Sequence, residues 1–167
     1  MDFLGNNSLR IVRITDPKII NNVIFSQPNN IDAIKLQEKG VIIEPPDIIV
    51  ISLYDNDTSN ILYNAKSSVK NKPLDFTLVS PTHKIKYVLD SVIIRDTSKS
   101  HFVSVLTCNG NEKTFDGASI SRLSNLKWKS LLNENQEWTY KYNKPGYSDM
   151  RWNFCEGYQL MFYYRSN

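Results

Sequence analysis

The sequence predicts an α+β fold, mainly an antiparallel β-sheet with a few short helices. Three observations predict it. The runs Lys84 to Arg95, Ser100 to Thr107 and Lys113 to Asp116 have strand length and are rich in apolar residues, and the polar turns 96–100 and 108–111 separate them. That pattern is a three-stranded meander. Asp47-Ile48-Ile49-Val50-Ile51-Ser52-Leu53 is almost continuously apolar and β-branched, as expected of a central strand buried on both faces. Helical periodicity, by contrast, is confined to two short stretches, 31–39 and 120–132.

In chain order, Leu9, Ile11 and Ile14 alternate loosely between Ser8 and Thr15, which predicts a short strand that Asp16-Pro17 ends. Ile19 to Phe25 is a short apolar run, and 26–30 is a loop. Asn30 is placed to cap a helix from Ile31 to Lys39, with Gly40 as its stop. Pro45-Pro46 forces an extended entry into the central strand. Shorter strands are expected at Asn60 to Asn64 and at Leu74 to Val79, and the meander follows. Leu123, Leu126 and Leu131 share a face and predict a short helix within Ile120 to Leu132. Residues 133–153 are rich in Asn, Tyr, Lys, Gly and Pro and are expected as a loop-rich insertion. Glu156 to Arg165 is an aromatic strand whose apolar residues must join the sheet.

With 167 residues, 41% of them hydrophobic and 22% charged, the chain is expected to form one domain, 1–167, burying roughly 70% of its unfolded surface. The net charge of +3 is interspersed and predicts no nucleic-acid partner. The two cysteines, Cys108 and Cys155, form no disulfide framework and have no zinc spacing, so neither a metal nor a cofactor is expected. No charged leader with an apolar core is visible, and no apolar run has membrane-spanning length. The expected location is intracellular, in cytoplasm or a virion, with no membrane partner. Abundant Asn, Ile and Lys with scarce Ala and Gly is the bias of an AT-rich genome, viral or protozoan.

The candidate chemistry lies in the meander. His101 opens its second strand and Asp116 closes its third, and antiparallel pairing brings those ends together. An imidazole oriented by a carboxylate is the base half of a nucleophilic site. Phe102 beside it, with Trp138, Tyr147 and Trp152 of the loop-rich segment, are the candidate protein-binding residues, since aromatic anchors dominate recognition surfaces. Trp128 and the tyrosines of the last strand are expected in the core.

Five pieces in order carry a family resemblance. Pro46-Asp47-Ile48-Ile49-Val50-Ile51-Ser52-Leu53, Tyr87-Val88-Leu89-Asp90-Ser91-Val92-Ile93, Ser100-His101-Phe102-Val103-Ser104-Val105, Phe115-Asp116 and Gly157-Tyr158-Gln159-Leu160-Met161-Phe162-Tyr163 resemble successive strands of the ubiquitin-specific proteases, including their histidine box. The resemblance covers about 44–165, leaving 1–43 as a divergent N-terminal part. It implies the sheet-bearing half of a papain-like cysteine peptidase fold. His101 would then be the general base and Asp116 the residue that fixes its tautomer. A thiolate would attack the isopeptide carbonyl after ubiquitin's C-terminal glycine.

The chain also departs from that pattern. The family's nucleophile belongs to a cysteine box far upstream of the histidine, and no cysteine precedes Cys108 here. Cys108 stands seven residues beyond His101 along one strand, more than ~20 Å at about 3.4 Å per residue, too far to serve. The oxyanion-stabilising Asn of the cysteine box and the metal-binding cysteines of the family's fingers have no counterpart. The glycine before the histidine is Ser100, and the second acid after Phe115 is Gly117. Three functions are consistent with this. One is a catalytically incomplete, protease-like domain that binds ubiquitin or another viral or cellular protein. Another is the histidine/aspartate half of an active cysteine deubiquitinase whose nucleophile lies elsewhere. The third is a structural virion or assembly subunit that reuses the fold. The oligomeric state is open.

Overall fold

The meander forms the right half of one large mixed sheet, and the closing strand joins it to the N-terminal strands. The computed structural model describes residues 9–53, 71–95, 101–117, 123–140, 150–156 and 158–167. The fold is α+β. The main sheet runs β1 (Ile11–Ile14), β3 (Ile48–Leu53), β11 (Gln159–Ser166), β5 (Lys84–Arg95), β6 (Phe102–Cys108), β7 (Asn111–Phe115) and β8 (Leu123–Asn125). The short β2 (Ile31–Asp32) pairs parallel with β4 (Asp75–Val79), which in turn pairs antiparallel with the first half of β5. A separate antiparallel pair joins β9 (Trp138–Tyr140) to β10 (Met150–Trp152).

The local chemistry explains these elements. Between β6 and β7 the two-residue turn Asn109-Gly110 has both φ values positive, 49° and 75°. That is the backbone of the hairpin turn for which Asn-Gly is preferred, because its twist matches that of the flanking strands. The turn sets the register Cys108↔Asn111 through Ser104↔Phe115. The β-branched run of β3 is buried at five of its six positions. It lies between β1, to which it is parallel, and β11, to which it is antiparallel. β11 separates β3 from β5, which buries Tyr163 and partly buries Phe162, whereas Tyr164, expected in the core with them, is 44% exposed. Ile49, Ile51, Val92, Met161 and Tyr163 fill the core there, and Tyr163 donates its hydroxyl to the Pro73 carbonyl at 2.7 Å.

Several local expectations change. The helix near residue 31 is α2 (Ala33–Glu38), capped by the Asp32 carboxylate and not by Asn30. Ile31-Asp32 are held extended by pairing with Leu78-Val79, so the helix cannot start earlier. Gly40, at φ 68°, ends the turn after it, in the left-handed region glycine tolerates best. Ile20–Ile24 forms a π-helical turn that continues α1 (Pro17–Ile19), itself capped by Asp16. The helix expected within 120–132 is split. Leu123–Asn125 satisfies its backbone against the β7 edge, and only α3 (Trp128–Leu131) is helical. The segment expected as loop-rich contains β9 and β10. The strand expected at 60–64 lies outside the described residues. Among the described residues, no helix is long and apolar enough to cross a membrane.

Candidate functional site

His101 immediately precedes β6 and Asp116 immediately follows β7. Extending the β6–β7 register by one step places Asp116 beside Val103, diagonal to His101, a distance long side chains bridge across antiparallel strands. Alternation puts His101 on the face that carries the buried Val103 and Val105. Its Nε2 and the Asp116 Oδ1 are 2.9 Å apart. The Asp116 side chain is 1% exposed and that of His101 26%. The carboxylate is thus withdrawn beneath the imidazole, and the ring keeps access to solvent. With Nε2 hydrogen-bonded to the carboxylate, Nδ1 is the nitrogen available for proton transfer.

The aromatic candidates separate into two groups. Phe102 points to the opposite face and is 44% exposed. Its ring meets the edge of Tyr158 at 6.3 Å between centroids. Tyr158 in turn accepts from Arg13 at 2.8 Å and lies 3.2 Å from the buried Ser52 hydroxyl, linking β1, β3 and the start of β11. Trp138 is half-buried, whereas Trp152, expected on an exposed recognition surface, is fully buried. The alternation of β10 explains the difference: Arg151 faces solvent and Trp152 turns inward. There its ring lies 6.5 Å from that of His101, and Trp138 stacks on it at 4.8 Å. Trp152 is therefore the apolar wall beside the imidazole. Tyr147 lies outside the described residues. Trp128 is in the core as expected, with its N–H donated to the Leu106 carbonyl at 3.2 Å.

A second polar cluster lies at the turn after β10, and the sequence carried no signal for it. Lys72 is buried and donates Nζ to the Phe154 carbonyl at 2.9 Å; Gln159 Nε2 donates to the same oxygen at 2.6 Å. Asn133 clamps the backbone of Lys72, accepting from its N–H at 2.7 Å and donating to its carbonyl at 3.0 Å. Burial pulls the Lys72 ammonium down to about 8, partly opposed by the negative charge available at Cys155. Lys72 falls in a polar stretch that reads as connecting chain, and only its contacts reveal the role. Cys155 is half-buried in this turn, and Cys108 is exposed at the far end of β6. Among the described residues, no group of three or more His, Cys, Asp or Glu side chains is placed to hold a metal ion.

No protein-family model matches the chain, and no curated protein matches it. Among solved structures it is similar to the SAGA Ubp8/Sgf11/Sus1/Sgf73 DUB module, with 14% identity and a TM-score of 0.45 over 73% of this chain. The matched region spans 24% of that chain's length.

Proposed function

We propose that this chain supplies the histidine/aspartate half of a thiol-dependent acyl-transfer site of the ubiquitin-specific-protease kind, completed by a cysteine held elsewhere. The observation that carries this reading is the 2.9 Å contact between His101 and a carboxylate almost wholly removed from water. A buried acceptor on Nε2 orients the ring and stabilises the imidazolium once Nδ1 takes up a thiol proton. The ordered strand motifs of the sequence support the family assignment. In the reaction, Nδ1 accepts the thiol proton, the thiolate attacks an isopeptide carbonyl, and the imidazolium returns the proton to the leaving amine.

The test is labelling by ubiquitin carrying a C-terminal electrophile. The thiol of a partner polypeptide should be labelled faster when this chain is present, and His101→Ala should abolish the acceleration. If the chain changes no labelling in extracts of its own source, the catalytic reading is lost.

A second reading is a binding module for ubiquitin or another protein that retains the pair without turnover. The exposed Phe102 ring, braced by Tyr158 one residue from the imidazole, favours it. An NMR titration of labelled ubiquitin at millimolar chain, with no shifted resonance, would remove ubiquitin as the partner.

A further inference from the structure

Three tryptophans of one chain meet different fates. Trp128 donates its indole N–H to a carbonyl, but the Nε1 atoms of Trp138 and Trp152 are shielded from solvent and have no acceptor among the described residues. Buried donors in folded proteins are nearly always paired, and those that are not call for an explanation in water, ligand or chemistry. Here two orphans occur together, on rings that face each other across one strand pair, Trp152↔Trp138, and stack at 4.8 Å. The inner ring adjoins His101.

We infer that the indole N–H groups of Trp138 and Trp152 are a two-donor seat for an acyl oxygen of the ligand that occupies the His101 site. The inference rests on the proposed function and deepens it by naming the chemistry that is recognised. An indole nitrogen only donates, so the occupant must present lone pairs, as a peptide carbonyl or a C-terminal carboxylate does. The surrounding rings of Trp138, Trp152 and Phe154 are apolar. A donor in such surroundings gains more from an acceptor than it would in water. The donors stand on β9 and β10, a strand pair separate from the main sheet.

The test uses the whole chain with nitrogen-15 in its tryptophans and histidines, titrated with N-acetylglycine, with its N-methylamide and with butylammonium. Both acyl probes should move the Trp138 and Trp152 indole resonances downfield and leave Trp128 in place, and butylammonium should move none. A larger response to the free acid identifies a carboxylate; an equal one identifies a carbonyl. The conservative Trp138→Phe variant, which keeps the stack and loses the N–H, should weaken acyl-probe binding about five- to tenfold. If the His101 ring responds and the two indoles do not, the seat is wrong and the proposed function stands. If the indoles show water contacts that the probes leave unchanged, buried waters fill the seat and the inference is overturned. If neither His101 nor the indoles respond to any probe, both the seat and the reading beneath it fail.

Discussion

Asp116 holds Nε2 of His101 at 2.9 Å although fifteen residues separate them in the chain. The Asn109-Gly110 turn and the β6–β7 register make that contact. The turn lies at one end of the hairpin and the pair at the other, so the hairpin is the positioning device, with the buried Val103 and Val105 anchoring it to the core.

The first prediction concerns the ring itself. An Nε2–H donor facing a buried carboxylate fixes the neutral imidazole as the Nε2–H tautomer, with a lone pair on Nδ1. Nitrogen-15 NMR of the wild type should show that tautomer in clear excess, and Asp116→Ala should return a mixture. In a completed site, His101→Ala should slow thiol labelling by about 10²–10⁴-fold, the usual range for a positioned base. A wild-type ring with mixed tautomers would refute the orientation argument.

The second prediction follows from Lys72, whose ammonium burial lowers to about 8 from an ordinary value of 10.5. Between those values the unfolded chain binds more protons than the folded one, so stability rises with pH across that window. Below about pH 8 both states are protonated and the cost of burying the charge is complete. Tyr87, pushed up to about 12 by burial, acts oppositely. Above pH 10 the unfolded chain loses this proton first, and stability falls. Urea midpoints should therefore peak near pH 9–10, and Lys72→Met should flatten the rise between pH 8 and 10. The same slope in both proteins would show that Lys72 is not its source.

The site and the sheet were unequally legible from sequence. The meander, the β3 run and the closing strand announce themselves because apolar runs of strand length, β-branched and aromatic content and polar turn residues are local signals. The His101–Asp116 pair was readable for the same reason, since both residues end adjacent strands. The Lys72 cluster and the inward turn of Trp152 were not readable. Each depends on a distant partner: Lys72 on the Phe154 carbonyl, 82 residues away, and Trp152 on the β9–β10 pairing that makes 150–152 a strand and so sets which of its residues face inward. The capping residue of α2 lies two positions beyond Asn30 because β2 pairs with β4 across the sequence, and no local propensity encodes that pairing.

A third prediction isolates that cap. The Asp32 carboxylate accepts from the N–H groups of Ile34 at 3.0 Å and Lys35 at 3.3 Å. Asp32→Ala leaves these donors to water at the helix start and should cost about 1 kcal/mol. Asn30→Ala, at the position first expected to cap, should change little. Chemical denaturation of the two variants distinguishes the positions, and equal losses would contradict the geometry.

The last prediction compares a central strand with an edge strand. Met161 on β11 lies opposite Ile51 on one side and Val92 on the other, and all three are fully buried. Truncating Met161 to alanine removes buried apolar surface and leaves a cavity that strands bonded on both sides cannot close, so it should cost about 2–5 kcal/mol. Leu123 is also a strand residue, but β8 is the sheet's edge and its side chain is 53% exposed. Leu123→Ala should change stability by about 0.5 kcal/mol or less. Urea unfolding of both variants, with unchanged slopes, provides the comparison. A Met161→Ala loss no larger than that of Leu123→Ala would mean that β11 is not the strand joining the two halves of the sheet. Because β11 also carries Gln159 toward the Phe154 carbonyl, a true loss there should loosen the turn that supports Trp152. The indole resonance of Trp152 should broaden in Met161→Ala and stay sharp in Leu123→Ala.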